Sequence, residues 1–312
     1  MAVTPTAIDP GTSGPVPAGG EAQQQSGGGL TVQILRVFAE NRLAVIGVAI
    51  IVLMILFCFL GPVFYHTNQT DAQKALTSAP ANAAPSSQYP LGTDENGFDI
   101  LGRIMYGGQI SLIVGFAAAG IATVVGVLVG AISGFFVGIL DSVLMRIVDV
   151  LLSVPLLYLL IVLAVIFHPS VEILILVIGF TAWLVPARLV RGETLSLRVR
   201  EFVQAVRVMG GGSPRIVVRH IIPNTIGTII VNATFQVADA ILLLAALGFI
   251  GLGVPAPKTD WGSMIAVGTN YADSGDWWEI YPTGLAIVLV VVAFNFVGDA
   301  LRDAFEVRLR RR

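Results

Sequence analysis

The sequence has little charge. Only 12% of its 312 residues are Asp, Glu, Lys or Arg, against 55% hydrophobic; water-soluble domains carry about 25% charge. The mean hydropathy is +0.83. One core in a chain of this size cannot bury so much apolar surface, so much of it faces something other than water, and the class is a polytopic membrane protein. Cysteine is nearly absent: Cys58 stands alone within LMILFCFLG, which excludes an internal disulfide and reads as an inert buried thiol. The three histidines, His66, His168 and His220, lie far apart and show no metal-ligand spacing. The only two lysines, Lys74 and Lys258, follow Gln73 and Pro257, so the G-x-x-x-x-G-K-[ST] phosphate loop is missing. If nucleotide energy drives this chain, another polypeptide hydrolyses the nucleotide.

Residues 1–30 contain no basic residue and are rich in Gly, Pro, Ala, Gln and Ser. They lack the basic start of a secretory signal, and their composition predicts a disordered tail, taken here as 1–35. Long apolar runs follow. Measured against the roughly 20 residues of a helical span, six candidates emerge: Leu43–Phe64, Ile110–Leu140, Leu144–Phe167, Val171–Ala187, Ile226–Gly253 and Thr283–Ala300. The division is a first span at 36–65, an extracytoplasmic segment at 66–105, and a permease-like membrane part at 106–312 that contains a loop at 192–225. An even number of spans puts both termini on one side. With that side cytoplasmic, 15 of the 18 basic residues lie inside, and only Lys74, Arg103 and Lys258 lie outside. The positive-inside rule therefore selects cytoplasmic termini. Acidic residues gather on the other side, at Asp94, Glu95, Asp99, Asp260, Asp273, Asp276 and Glu279 among others.

Gly126, Gly130, Gly134 and Gly138 recur every fourth residue and share one helix face, where a second helix can approach closely. Ordinary packing and a gating surface both use such a face. The loop GETLSLRVREFVQAVRVMGGGSPRIVVRHIIPNT is too long for a simple connector. Phe202, Ala205, Val206 and Met209 fall at helical spacing, Gly210 to Gly212 can end that helix, Ser213 is a good N-cap, and Pro214 suits a first helical position. A second helix then runs to about Ile221 and stops before Pro223. The result is an arginine-rich helix–glycine–helix elbow. A basic helix lying on anionic lipid is the alternative, but lipid contact alone needs no elbow.

QAVRVMGGGSPRIVVRHIIPN resembles the "EAA" loop of permease subunits in ATP-binding-cassette importers, in which Glu-Ala-Ala is followed by Gly and later by Ile-x-Pro. Gln204, Ala205, Val206, Gly210, Ile221 and Pro223 take those places, with Gln204 and Val206 departing from the pattern. LGTDENGFDILGRIMYGGQISL resembles the segment before the second span in permeases of the dipeptide/oligopeptide (C-type) family. The matches are Leu91, Gly92, Thr93, Asp94, Gly97, Asp99, Arg103, Tyr106, Gly107, Ser111 and Leu112. LGFIGLGVPAPKTDWGSMI resembles the same family's stretch after the fifth span. The resemblance covers about 90–312.

It implies an all-α, six-span type I importer fold with a cytoplasmic coupling helix between spans four and five. It also implies a heterodimer with a second related permease over two ATPase subunits that carry ATP and Mg, fed by an extracytoplasmic substrate-binding protein. This chain itself would hold no cofactor, catalyse nothing and bind no nucleic acid; it would sit in the lipid bilayer of the inner membrane and pass short peptides inward by alternating access. Nickel chelates, glutathione and other peptide-like solutes are alternative cargoes of the same machine. In the docking loop, Glu201, Gln204, Ala205, Arg207, Gly210, Arg219, Ile221 and Pro223 are the candidate ATPase contacts. An ion-coupled secondary transporter is the reading from a different class, but no internal repeat supports it.

Three features stay open in the sequence. Asp239 sits inside the fifth span, where a carboxylate needs a cavity or a partner; it is either a path residue that attracts a cationic amino end or a paired packing residue. Trp261, Trp277 and Trp278 lie in an acidic aromatic segment that suits either a binding-protein contact or an interfacial belt. Arg146 with Asp149, and Asp299 with Arg302, are spaced as local helical pairs.

Overall fold

The computed structural model describes residues 37–69 and 80–310, with side chains up to 305. The expected tail at 1–35 lies outside the described residues. All the regular elements among them are helical: α1 Arg42–Phe64, α2 Ile100–Phe135, α3 Ile139–Ser153, α4 Leu156–Phe167, α5 Val171–Ala182, α6 Leu184–Leu197, α7 Glu201–Val208, α8 Ser213–Ile216, α9 Ile226–Phe249, α10 Trp261–Thr269 and α11 Tyr281–Arg310. Five segments among the described residues are long and apolar enough to cross a bilayer, and α3 with α4 makes a sixth if that bent pair counts as one span.

The second span starts ten residues before the expected Ile110, because Asp99 caps it: its carboxylate accepts from the Leu101 and Gly102 amides, each at 3.2 Å. The 36 residues of α2 reach about 54 Å at ~1.5 Å per residue, well beyond a ~30 Å hydrocarbon core. It ends at Phe135 rather than Leu140. The expected third span, Leu144–Phe167, divides into α3 and α4, which meet at 89°. Pro155 caps α4 at that corner; it has no amide hydrogen to carry a helix through. Their 15 and 12 residues give about 22 and 18 Å, so neither crosses alone.

The fourth span runs on from α5 through Trp183 into α6, ten residues past the expected end at Ala187. Pro186 lies within the first turn of α6, where amide hydrogens need no helical partner. Its missing N–H would have bonded to the Ala182 carbonyl one turn back, and the Gln236 amide donates to that oxygen instead, at 2.8 Å. A side chain from α9 thus repairs the break.

Three of the four glycines act as their spacing predicts. A Cβ on Gly126 would lie 2.5 Å from Pro186 Cβ, one on Gly130 would meet the Ala187 carbonyl, and one on Gly134 would lie 2.7 Å from Thr194 Cβ. The α2 and α6 backbones therefore touch along this stripe. Gly138 has left the helix; it precedes α3 at φ +126° with open space around it.

Buried side chains form three clusters. One joins Leu112, Ile241 and Trp261 at the end that carries the acidic loops. The second holds Leu160, Leu174, Ile178 and Leu244. The third lies at the arginine-rich end and holds Ala131, Phe135, Val190, Val203, Ile216, Val217 and Ile221. Large apolar side chains are exposed along the spans, including Val63, Val124, Val162 and Phe180. This is the inverted surface that a lipid environment stabilises.

Candidate functional site

The elbow forms between α6 and α9. α7 ends at Val208, and Gly210 just past its cap takes a φ of +84° that only glycine adopts without strain. The Gly211 amide donates to the Val206 carbonyl at 2.9 Å, and the Gly210 amide to Arg207 at 3.0 Å. This pair of bonds is the Schellman C-cap. A Cβ on Gly211 would lie 2.5 Å from the Val206 side chain, whereas one on Gly212 would meet nothing. Gly212, in extended conformation, is the cap of α8. Ser213 and Pro214 therefore stand one place further into the helix than the sequence suggests. Pro223 does not stop the chain either. The track changes register, through a π turn at Val217–Ile221 and a 3-10 turn at Ile222–Asn224. Such wider and tighter turns absorb the missing proline donor.

The elbow has an anchored inner face. Val203 and Ile221 are fully buried and Ile216 nearly so, against Ala131, Phe135 and Val190 of α2 and α6. The Arg198 guanidinium donates to the Phe135 carbonyl at 3.3 Å, and that of Arg207 lies 5.6 Å from the Phe135 ring centre. Its outer face carries two uncovered apolar side chains: Val208 is 88% exposed and Met209 77%. Glu201, Gln204, Ala205, Arg207, Gly210, Arg219 and Pro223 are exposed as well, whereas Ile221 is an internal anchor. Gln204, in place of the resembling family's Glu, donates to the Arg198 carbonyl at 3.3 Å and helps close the turn between α6 and α7.

Behind the elbow lies a charge cluster with no local sequence signal, since its members come from separate helices. The Arg191 guanidinium binds the buried Asp141 carboxylate with two bonds, at 2.6 and 2.7 Å, and the Ser133 hydroxyl joins the same carboxylate. Asp149 pairs with Arg188 of α6. The expected local pair with Arg146 is corrected: the fold brings α6 beside α3, and Asp149 turns toward it. Glu193 accepts from the Thr228 hydroxyl of α9.

Asp239 lies apart from all of these. Its neighbours Ala238 and Ala240 are buried, but Asp239 itself is exposed on the isolated chain. It has no hydrogen-bond or ion-pair partner among the described residues. No partner for the paired-packing reading is found among the described residues.

The opposite end is closed on itself. The Trp261 indole is fully buried and donates to the Ile104 carbonyl at 3.0 Å. Trp278 is only 8% exposed. Neither ring offers a surface to a partner, which corrects two of the three aromatic candidates; Trp277, half exposed, is the one that does. Asp94 pairs with Arg103 at 3.2 Å and accepts from the Asn96 and Phe98 amides, each at 2.9 Å. Burial pushes the Asp94 carboxyl above its ordinary range, although Arg103 opposes the shift. Asp260 takes the Val254 and Ser263 amides, both at 3.0 Å. The Tyr271 hydroxyl donates to Glu95 at 2.8 Å, and that carboxylate pushes the Tyr271 phenol upward from its ordinary value.

Comparison with known proteins fits this geometry. Residues 126–311 match the family described as binding-protein-dependent transport system inner membrane component. Residues 29–85 match the N-terminal TM domain of oligopeptide transport permease C, which extends the likeness to the first span. The oligopeptide transport system permease protein OppC of Escherichia coli K12 is 38% identical over 271 residues, 87% of this chain and 89% of that one. OppC of Bacillus subtilis is 37% identical over 274 residues, 88% of each chain. Among solved structures, a chain from inward-facing conformations of the MetNI methionine ABC transporter shares the fold, with TM-score 0.51, 20% identity, and coverage of 64% of this chain and 94% of that one. By its family match over most of the membrane part and its relatives over nearly nine-tenths of its length, the chain belongs to the binding-protein-dependent transport system inner membrane components, multi-pass proteins of the inner membrane.

Proposed function

We propose that this chain is the permease subunit of an ATP-binding-cassette importer for short peptides, and that its elbow is the coupling helix gripped by a cytoplasmic ATPase. The observation that carries the reading is the two-faced elbow. Its inner face is packed into α2 and α6, while Val208 and Met209 stand uncovered on the outer one. Two adjacent large apolar side chains exposed on a loop are the kind of surface a partner covers.

The geometry supplies a mechanical route. A push on the outer face passes through Val203, Ile216 and Ile221 to the ends of α2 and α6. Those two helices are locked backbone to backbone at Gly126, Gly130 and Gly134, so they move as one body. In this reading a second related permease completes the path, and two ATPases bind and hydrolyse ATP with Mg. Their closure turns the path outward to a docked substrate-binding protein, and hydrolysis turns it back. The chain contributes shape and contacts and catalyses nothing. The 15-to-3 distribution of basic residues supports a cytoplasmic elbow and cytoplasmic termini in this reading. Peptide cargo follows from the oligopeptide permeases it resembles at 37–38% identity. Asp239, unpaired and facing away from its own core, is the path residue of this reading, set to attract a peptide's amino end.

The test is co-purification with the partner ATPases, and ATP hydrolysis in lipid with and without the binding protein and peptide. Gly210→Pro breaks the C-cap and is expected to abolish peptide-stimulated hydrolysis. Intact assembly and coupled transport in that variant would sink the proposal.

A further inference from the structure

Beneath the elbow is a cavity of ≈ 680 Å³ formed by α6, the start of α7, the 3-10 turn before α9, α9 itself and α11. That volume lies within the roughly 300–1,000 Å³ of small-molecule sites. Its lining combines opposite charges with aromatic rings. Glu193 uses one carboxylate oxygen on Thr228 and has no partner for the other among the described residues. The Arg200 guanidinium, exposed on the same wall, has no hydrogen-bond or ion-pair partner among the described residues. Asn224 donates one amide hydrogen to the His220 carbonyl at 2.6 Å, and its oxygen remains an acceptor. Phe202 and Phe305 supply the apolar part. At Gly192 the cavity is open, and a Cβ there would meet nothing within 4 Å.

We propose that this cavity binds a small α-amino-acid zwitterion, either free or as the two ends of a short peptide. A ligand of one charge would engage Glu193 or Arg200 and leave the other to water. An ammonium placed on Glu193 and Asn224, with a carboxylate on Arg200, uses all three, because a guanidinium takes a carboxylate through two parallel bonds. The ligand's side chain then lies against Phe202 and Phe305. Binding stands on the cavity alone; only the side from which the ligand arrives rests on the proposed orientation and import function.

The probes are phenylalanine and the dipeptide Ala-Phe, bound to the full chain with its co-purifying partners in phosphatidylcholine nanodiscs. No binding protein is present. Arg200→Gln is expected to weaken both probes by about tenfold to a hundredfold, the range of a charged hydrogen bond. Gly192→Phe fills the cavity from open space and is expected to weaken them at least about tenfold while thermal stability stays unchanged. Equal affinity in the starting chain and both variants would overturn the proposal. So would binding that disappears once phosphatidylethanolamine is added, since the zwitterionic headgroup of that lipid would then be the occupant. A chain that binds the probes in this Arg200-dependent way but never assembles with ATPases would refute the importer reading and leave the site standing.

Discussion

At the acidic end, Asp94, Asp99 and Asp260 all turn inward. They are at most 7% exposed, and their oxygens take backbone amides or the Arg103 guanidinium. At the basic end, Glu201 and Arg219 are exposed beside uncovered Val208 and Met209. Gln204 and Arg207 are exposed too, although each also touches its own chain, at the Arg198 carbonyl and the Phe135 ring. Both ends carry the motifs by which the chain resembles its family. One set is used up in holding loops to helices, and the other is presented to whatever lies beyond the chain. Substitutions at the first should therefore register as lost stability, and at the outer face of the second as lost coupling.

The largest effect is expected at Trp261. Truncation to Ala empties a fully buried site beside Cys58 and Gly108 and leaves the Ile104 carbonyl without its donor. A loss of about 3–5 kcal/mol is expected, seen as a large drop in thermal unfolding temperature in detergent. A loss below about 1 kcal/mol would mean that this end is not the tightly knit one.

Next comes the cluster that backs the elbow. Asp141→Ala leaves the Arg191 guanidinium without its two bonds. Arg191 keeps about a third of its exposure, so water relieves part of the cost; about 1–3 kcal/mol is expected. Arg191→Leu in the same chain should recover part of that loss, because no charge then remains unpaired. An additive double variant would show that the two residues do not act as a pair.

How much of this was legible beforehand differs between the two ends for a physical reason. The elbow was readable because its signals are local: three glycines, a proline and helical spacing fall within about twenty residues. Even there the cap lay one residue off, since Gly212 and Ser213 can both precede a helix. The spans were readable as apolar runs, but not the corner at Pro155, because apolarity does not tell a crossing helix from one that turns by 89°. Trp261 was misplaced on the surface for the same reason. An aromatic in a polar segment looks like an outer belt until a contact 157 residues away in sequence, at Ile104, buries it. The Asp141–Arg191 pair, 50 residues apart, and the outward face of Asp239 depend on which helices become neighbours, and no local pattern carries that.

A smaller effect separates the three glycines of the elbow. Gly210→Ala forces an L side chain to φ +84°, and about 1–2 kcal/mol is expected. Gly212→Ala meets open space in an extended conformation and should change stability by less than about 0.5 kcal/mol. Equal losses at both positions, by the same thermal unfolding, would contradict the C-cap described above.

The smallest expected change in stability falls on Met209, and it separates the two ends most sharply. Its side chain is 77% exposed and belongs to none of the three buried clusters. Met209→Ser should therefore leave thermal unfolding within about 0.5 kcal/mol of the starting chain. If an ATPase covers this face, the same change removes an apolar anchor from the contact, and peptide-stimulated hydrolysis should fall about tenfold, equivalent to roughly 1.4 kcal/mol of coupling. Trp261→Ala assayed at a temperature where it remains folded should show the reverse: weakened structure with stimulation largely retained. If Met209→Ser keeps full stimulation while Val203→Ala loses it, the elbow is a structural brace for α2 and α6, and the ATPase must grip elsewhere.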